Sequence, residues 1–176
     1  KMNDSLILIL DFERIVEEIC PETSLRISEI DELGDRKRSD VPILVAEDSP
    51  MLEAMIQDAL NRAGYTNLTI KANGQEAWDV ICTLKKNNGL KYGVQLLITD
   101  IEMPLMDGHH LVKLVREDDE LKDLPIIIFS SLINDEMRKK GESLGADMQL
   151  SKPEIGQLVG AIDQILQIEN ADGTSV

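Results

Sequence analysis

The chain is short of basic charge, of cysteine and of long apolar runs. It carries 18 lysines and arginines against 33 acidic residues, a formal charge of −15. Such a surface repels the phosphate backbone of nucleic acid and anionic lipid headgroups, so neither is an expected partner. No apolar run nears the roughly 20 residues that a membrane-spanning helix needs, and the first residues lack the layout of a secretory signal. A cytoplasmic location without membrane insertion follows as the expectation. The two cysteines, Cys20 and Cys82, are far apart in apolar helical patterns. Buried thiols in a reducing compartment are therefore expected rather than a disulfide. No internal repeat or low-complexity tract occurs, and 176 residues suffice for one domain plus an appendage.

The pattern divides near residue 40. Ser5 to Leu10, SLILIL, reads as a buried strand, and Asp11 to Ile19 as a short helix capped by Asp11. One strand and one helix cannot bury their own apolar faces. This appendage, residues 1–31, must lean on other protein, and residues 5–19 offer a route to self-association. The polar, Gly- and Pro-containing stretch 32–41 reads as a linker, and 171–176 as a tail. The chain begins with Lys1 and reads as a piece of a longer protein.

From residue 42 to 170, strand and helix patterns alternate. The strands are PILVAED, TNLTIKA, VQLLITD, PIIIFSS and ADMQLSKP, and each is followed by a helical pattern. The first of these helices has Ser49 as its cap, Pro50 in its first turn and Gly64 as its stop. The fourth, Asn134 to Gly145, reads as weaker because Gly141 interrupts it. Five βα units in series predict an α/β fold with a five-stranded parallel sheet wound on both faces.

Polar residues interrupt these strands at one end only. Glu47 and Asp48 finish the first, Asp100 the third, Ser130 and Ser131 the fourth, and Lys152 follows the fifth. In a doubly wound sheet the ligand crevice lies outside the carboxyl ends of the strands, so these residues are expected to converge. Three clustered carboxylates repel unless a proton or a cation sits among them, and an all-oxygen set with room for water suits Mg²⁺. A lysine and a hydroxyl on the opposite rim supply donors for a phosphoryl group, and Asp100 is the candidate nucleophile.

These residues in this order resemble a response-regulator receiver domain, of the flavodoxin- and CheY-like class. The match rests on Glu47-Asp48, on D-x-x-M-P-x-M-D-G as Asp100, Met103, Pro104, Met106, Asp107 and Gly108, on Ser130, and on Lys152-Pro153. The resemblance implies sheet order 2-1-3-4-5 and phosphoryl transfer to Asp100 from a CheA-like sensor histidine kinase. It also implies Mg²⁺ or Mn²⁺ held by Glu47, Asp48, Asp100 and the backbone carbonyl of Glu102. Lys152 and Ser130 would grip the phosphoryl group, Ser131, Gln149 and Pro153 would belong to the switch surface, and Lys152-Pro153 would be a cis peptide. Such a chain is a switch assisting its own phosphorylation rather than an enzyme on other substrates. LILILDFERI resembles the end of a CheW-type coupling domain, which in CheV-type chemotaxis proteins precedes a receiver. On that resemblance the output is control of chemoreceptor–kinase coupling, with chemoreceptors reached through the coupling domain, or a phosphate sink.

The chain departs from the family where a switch aromatic usually stands, since that position is Gln149, leaving Ser130 and loop movement to carry the output. The resemblance implies that the positions of Glu102 and Leu132 flank the path of water to an acyl phosphate, where an acid and a bulky apolar group are expected to slow its hydrolysis. Taken singly, each residue has a plainer role. An acid pair is usually a solvated turn, Lys152 a surface lysine, Ser130 a strand-end hydroxyl, His109 and His110 an exposed helix start, and Glu117 to Glu120 a solvated loop. Two other functions stay open: a metal-dependent phosphohydrolase with Glu102 as general acid, and a scaffold that is never phosphorylated.

Overall fold

The computed structural model of the protein describes residues 38–131, 133–152 and 155–167. The expectations for the appendage, most of the linker, the tail, Cys20, Leu132, Pro153 and the Lys152-Pro153 peptide fall outside the described residues. Five strands form: β1 (Ile43–Ala46), β2 (Leu68–Lys71), β3 (Leu96–Thr99), β4 (Ile126–Ser130) and β5 (Met148–Ser151). The helices are α1 (Pro50–Arg62), α2 (Gly74–Lys86), the single turn α3 (Leu90–Gly93), α4 (Gly108–Glu117), α5 (Asp135–Leu144) and α6 (Ile155–Leu166). The sheet runs β2-β1-β3-β4-β5 with every pairing parallel, the order expected above.

Continuous apolar runs in β1, β3 and β4 bury these strands along their whole length, because a parallel sheet is covered on both faces. The two-residue period of a strand divides them between two cores. Ile43, Val45, Leu96, Ile98, Ile127 and Phe129 meet α1 and α6 on one side. Leu44, Ala46, Leu97, Ile126 and Ile128 meet α2 and α4 on the other. On the first side, the buried Tyr65 hydroxyl donates to Asp163 of α6 and ties that helix to the turn after α1.

Local chemistry fixes where the helices begin. Ser49, Asn73, Asp107 and Asn134 each accept a backbone N–H of the first turn, from Leu52, Glu76, His110 and Met137 at 3.5, 2.9, 2.7 and 2.9 Å. Gly64, at φ +94, stops α1 as its sequence predicts.

Several expectations need correction. The turn α3 has no hydrophobic period to announce it. Gly141 does not interrupt α5, which runs through it from Asp135 to Leu144. Glu117 to Glu120 is not wholly solvated, because Lys85 pairs with Asp118 at 2.6 Å and Glu120 at 3.1 Å. Cys82 is a free thiol and half-buried rather than buried. Among the described residues no helix is long and apolar enough to cross a membrane.

Arg116 closes the far end of the sheet from its place in the last turn of α4. Its guanidinium donates to the Gly145 carbonyl at 2.8 Å, the Leu124 carbonyl at 2.7 Å and Asp147 at 2.8 Å. Asp147 also accepts the Ile126 N–H at 2.7 Å. Arg116→Ala leaves three acceptors without this partner and is expected to cost about 2–3 kcal/mol. Urea unfolding followed through Trp78 fluorescence measures it. Arg116→Lys should recover only part, because one ammonium cannot reproduce a planar fork.

Candidate functional site

Register brings the separated acids together. Ala46 pairs with Thr99, so the residues that follow them emerge side by side, and the Asp100 N–H donates to the Ala46 carbonyl at 2.9 Å. Ser130 pairs with Ser151, and the Lys152 N–H donates to the Ser130 carbonyl at 3.2 Å. The chain thus delivers Glu47, Asp48, Asp100, Ser130 and Lys152 to the carboxyl end of the sheet.

One oxygen of Asp100 accepts the Ile101 N–H at 2.6 Å, and the other accepts Lys152 Nζ at 2.6 Å. The same ammonium lies 2.7 Å from Glu47 Oε2, while Glu47 Oε1 accepts the Ser49 N–H at 3.2 Å. Lys152 is only 2 % exposed. It is a buried cation shared by two buried acids, not a solvated surface lysine. Burial pushes the Glu47 carboxyl above its ordinary range, although the Lys152 hydrogen bond and charge pull it back.

Glu47, Asp48 and Asp100 each place a carboxylate oxygen within 4.8 Å of the others. Asp48 is exposed, so the group opens to solvent. Three carboxylates against one ammonium leave excess negative charge at short range, and a hard divalent cation with oxygen ligands compensates it. The donor set fits Mg²⁺ or Mn²⁺.

Packing fixes the backbone around Asp100. The Thr99 hydroxyl donates to the Asp100 carbonyl at 2.9 Å. Gly108, whose N–H donates to the Ile101 carbonyl at 2.9 Å, lies so close that a Cβ there would sit 1.9 Å from the Asp100 carbonyl oxygen. The glycine of the Asp-Gly pair is therefore a close-approach glycine, a role the turn signal alone does not reveal. Ser130 is buried, Ser131 is exposed, the Glu102 side chain is exposed, and Gln149 is buried.

Residues 43–163 match the response regulator receiver domain family. The chain belongs to that family. The chain is similar to the chemotaxis protein CheV3 of Helicobacter pylori, 25% identical over 166 residues that cover 93% of this chain and 52% of that protein. It is 38% identical over 89 residues to a chemotaxis protein CheY homolog of Campylobacter jejuni, covering 51% of this chain and 63% of that protein. The chain thus spans about half the length of CheV3. Among solved structures, CheY4 of Vibrio cholerae superposes with a TM-score of 0.60 at 27% identity, covering 71% of this chain and 98% of that one. A putative response regulator from Chloroflexus aurantiacus gives 0.62 at 30%, covering 72% and 98%.

His109 corrects a further expectation. His110 is exposed, but His109 is 3 % exposed because the first turn of α4 is pressed inward where Gly108 meets the Asp100 carbonyl. Burial, with Lys140 nearby, lowers its pKa below the usual histidine value, while Asp107 and a hydrogen bond to the Met137 backbone oppose this. The unfolded chain therefore binds a proton that the folded receiver resists. The contribution of His109 to stability should be flat above the ordinary histidine pKa of about 6.5 and fall as pH drops through it. Urea midpoints at high and low pH check this, and His109→Leu should remove part of the slope.

Proposed function

We propose that this receiver is a phosphorylation-driven switch in which Asp100 accepts a phosphoryl group from a phosphohistidine of a sensor histidine kinase. The observation that carries the reading is Lys152 Nζ, which bonds Asp100 at 2.6 Å and Glu47 at 2.7 Å beside the three-carboxylate group. A carboxylate oxygen of Asp100 forms the new P–O bond as the P–N bond breaks and the imidazole leaves. Lys152 already touches the accepting group and neutralises charge as it develops on the phosphoryl oxygens, while the Ser130 hydroxyl lies at the end of the adjacent strand to donate to them.

Glu47, Asp48, Asp100 and the Glu102 carbonyl would hold Mg²⁺, which supplies charge neutralisation for the transfer. The phosphoryl group adds negative charge and acceptors beside Lys152 and Ser130, and so biases the surface near β4 and β5 between two arrangements.

The receiver spans 42–170, and residues 1–31 are the end of a CheW-like coupling domain joined by the linker 32–41. The similarity to CheV3 supports this, because its 166 residues reach well beyond the 43–163 of the receiver match. On this reading a CheA-like kinase is the donor, and the whole protein adjusts chemoreceptor–kinase coupling or drains phosphoryl groups from the kinase.

The test is incubation with acetyl phosphate and Mg²⁺ followed by mass analysis. One phosphoryl group on the peptide containing Asp100, lost when EDTA removes the metal, supports the reading. Labelling elsewhere, or none, sinks it.

A further inference from the structure

Resting on the phosphoacceptor reading of Asp100 and its metal, we propose that Gly74, the first residue of α2, is a positioning residue that clamps the strained loop after β3 and so shapes the metal site for a small divalent cation.

The loop 101–107 runs from Asp100 to α4 and carries Glu102. Inside it the Met106 N–H donates to the Pro104 carbonyl at 2.7 Å, which closes a three-residue turn with Leu105 at its centre. Leu105 has φ +65, in the left-handed region that residues with side chains rarely adopt. A three-residue turn with positive φ at its centre is the rare and strained form of its class. The leucine side chain does not hold the turn, because it is 86 % exposed. The restraint comes from outside the loop.

Helix α2 supplies it. A helix start leaves its first N–H groups without intrahelical acceptors. The one on Gly74 donates to the Met106 carbonyl at 3.1 Å. Only glycine permits this approach, since a Cβ at position 74 would lie 2.6 Å from the Met106 carbonyl oxygen and 3.1 Å from its Cγ. The crowded oxygen is backbone, so a side chain at 74 has to push the turn itself. Asn73 sets the place of the clamp: it is buried, accepts the Glu76 N–H at 2.9 Å and donates to the Glu76 carboxylate at 3.0 Å. The Met106 side chain is buried in the core that α2 and α4 share. One backbone hydrogen bond and the strain of one positive-φ residue are of the same order, so the first can hold the second.

The loop is fixed at its other end as well. The Gly108 N–H closes it onto the Ile101 carbonyl at 2.9 Å, against the Asp100 backbone. Glu102 follows Ile101, so its carbonyl rides on a segment pinned at 101 and at 106. Mg²⁺ demands near-octahedral oxygens at short range, whereas Ca²⁺ accepts irregular sets at longer range. A carbonyl held in place therefore favours the smaller ion, and a loosened one loses that preference.

Calorimetric titration of the full chain with Mg²⁺ alone and with Ca²⁺ alone tests this. Gly74→Ala should weaken Mg²⁺ binding about tenfold while Ca²⁺ binding changes by less than about threefold. Labelling by acetyl phosphate should show the same rise in half-saturating Mg²⁺, yet its rate at saturating metal should stay within about twofold, because Asp100 and Lys152 are untouched. Leu105→Gly removes the strain, so the turn keeps its shape without the clamp. Added to Gly74→Ala, it should restore Mg²⁺ binding to within about threefold of the unaltered chain. Loss of packing alone would weaken both ions alike and would not be rescued. Should Gly74→Ala fail to fold, Asn73→Ala withdraws the cap instead and should weaken Mg²⁺ binding about threefold with the same preference between the ions.

Equal weakening of both ions, unchanged Mg²⁺ binding in whichever of these two variants folds, or no rescue by Leu105→Gly overturns the inference alone. An unaltered chain that binds no Mg²⁺, or that is labelled elsewhere than on Asp100, overturns the phosphoacceptor reading and this inference with it.

Discussion

Asp100→Asn is expected to reduce labelling by acetyl phosphate to background, a loss of about a hundredfold or more, because an amide oxygen is not a competent nucleophile at this centre. The substitution is otherwise mild. Asparagine keeps an oxygen to accept the Ile101 N–H, now at 2.6 Å, and removes one negative charge from a group of three carboxylates. Lys152 retains Glu47 at 2.7 Å. The urea midpoint should therefore fall by no more than the equivalent of about 1 kcal/mol. A variant that still accepts one phosphoryl group on the same peptide would show that Asp100 is a bystander.

Lys152→Met is expected to damage both chemistry and stability. It removes a buried ammonium and leaves Glu47 and Asp100 facing each other at 1 % and 7 % exposure. Breaking a buried pair in this way costs about 3–5 kcal/mol, since the surviving charges lose their compensation but not their burial. The sign with pH follows from Glu47. Its carboxyl already sits above the ordinary range through burial, and loss of Lys152 removes the hydrogen bond and charge that hold it down. A folded-state pKa raised above the unfolded value means that the folded receiver binds the extra proton, so the deficit grows as pH rises from the unfolded value of about 4.5. Chemical unfolding should show a larger loss at neutral pH than at acid pH, and Mg²⁺ should restore part of it. Phosphoryl acceptance should fall by about 10²–10³, the usual cost of removing one preorganised donor from developing charge. A variant as stable as the unaltered chain across that range would remove Lys152 from the centre.

The architecture was legible because its signals are local and repeated. Runs such as ILVA and IIIFS can only be strands covered on both sides, and Ser49, Asp107 and Asn134 mark helix starts through hydrogen bonds three residues long. The meeting of Glu47, Asp48, Asp100 and Lys152 was legible for a different reason: each ends or follows a strand at the same edge, and parallel register turns that position into proximity.

Tertiary contacts were not legible in that way. Nothing near Lys152 announces that it serves Glu47 as well as Asp100, and no period marks the close approach of Gly108 to the Asp100 carbonyl. His109 reads as a polar helix start until the packing of α4 is known. Gly141 reads as a flaw in a helix, although a Cβ there would lie 2.4 Å from the Gln149 side-chain oxygen. The three acceptors of Arg116 come from parts of the chain that no local rule joins to it.

The bond from the Tyr65 hydroxyl to Asp163 is a buried polar tie inside the layer that α1 and α6 form. It stitches the C-terminal helix across the layer to the corner after α1, over an apolar interior built from both helices. A partner that lifted α6 from that corner would have to break a buried polar pair as well as expose apolar surface.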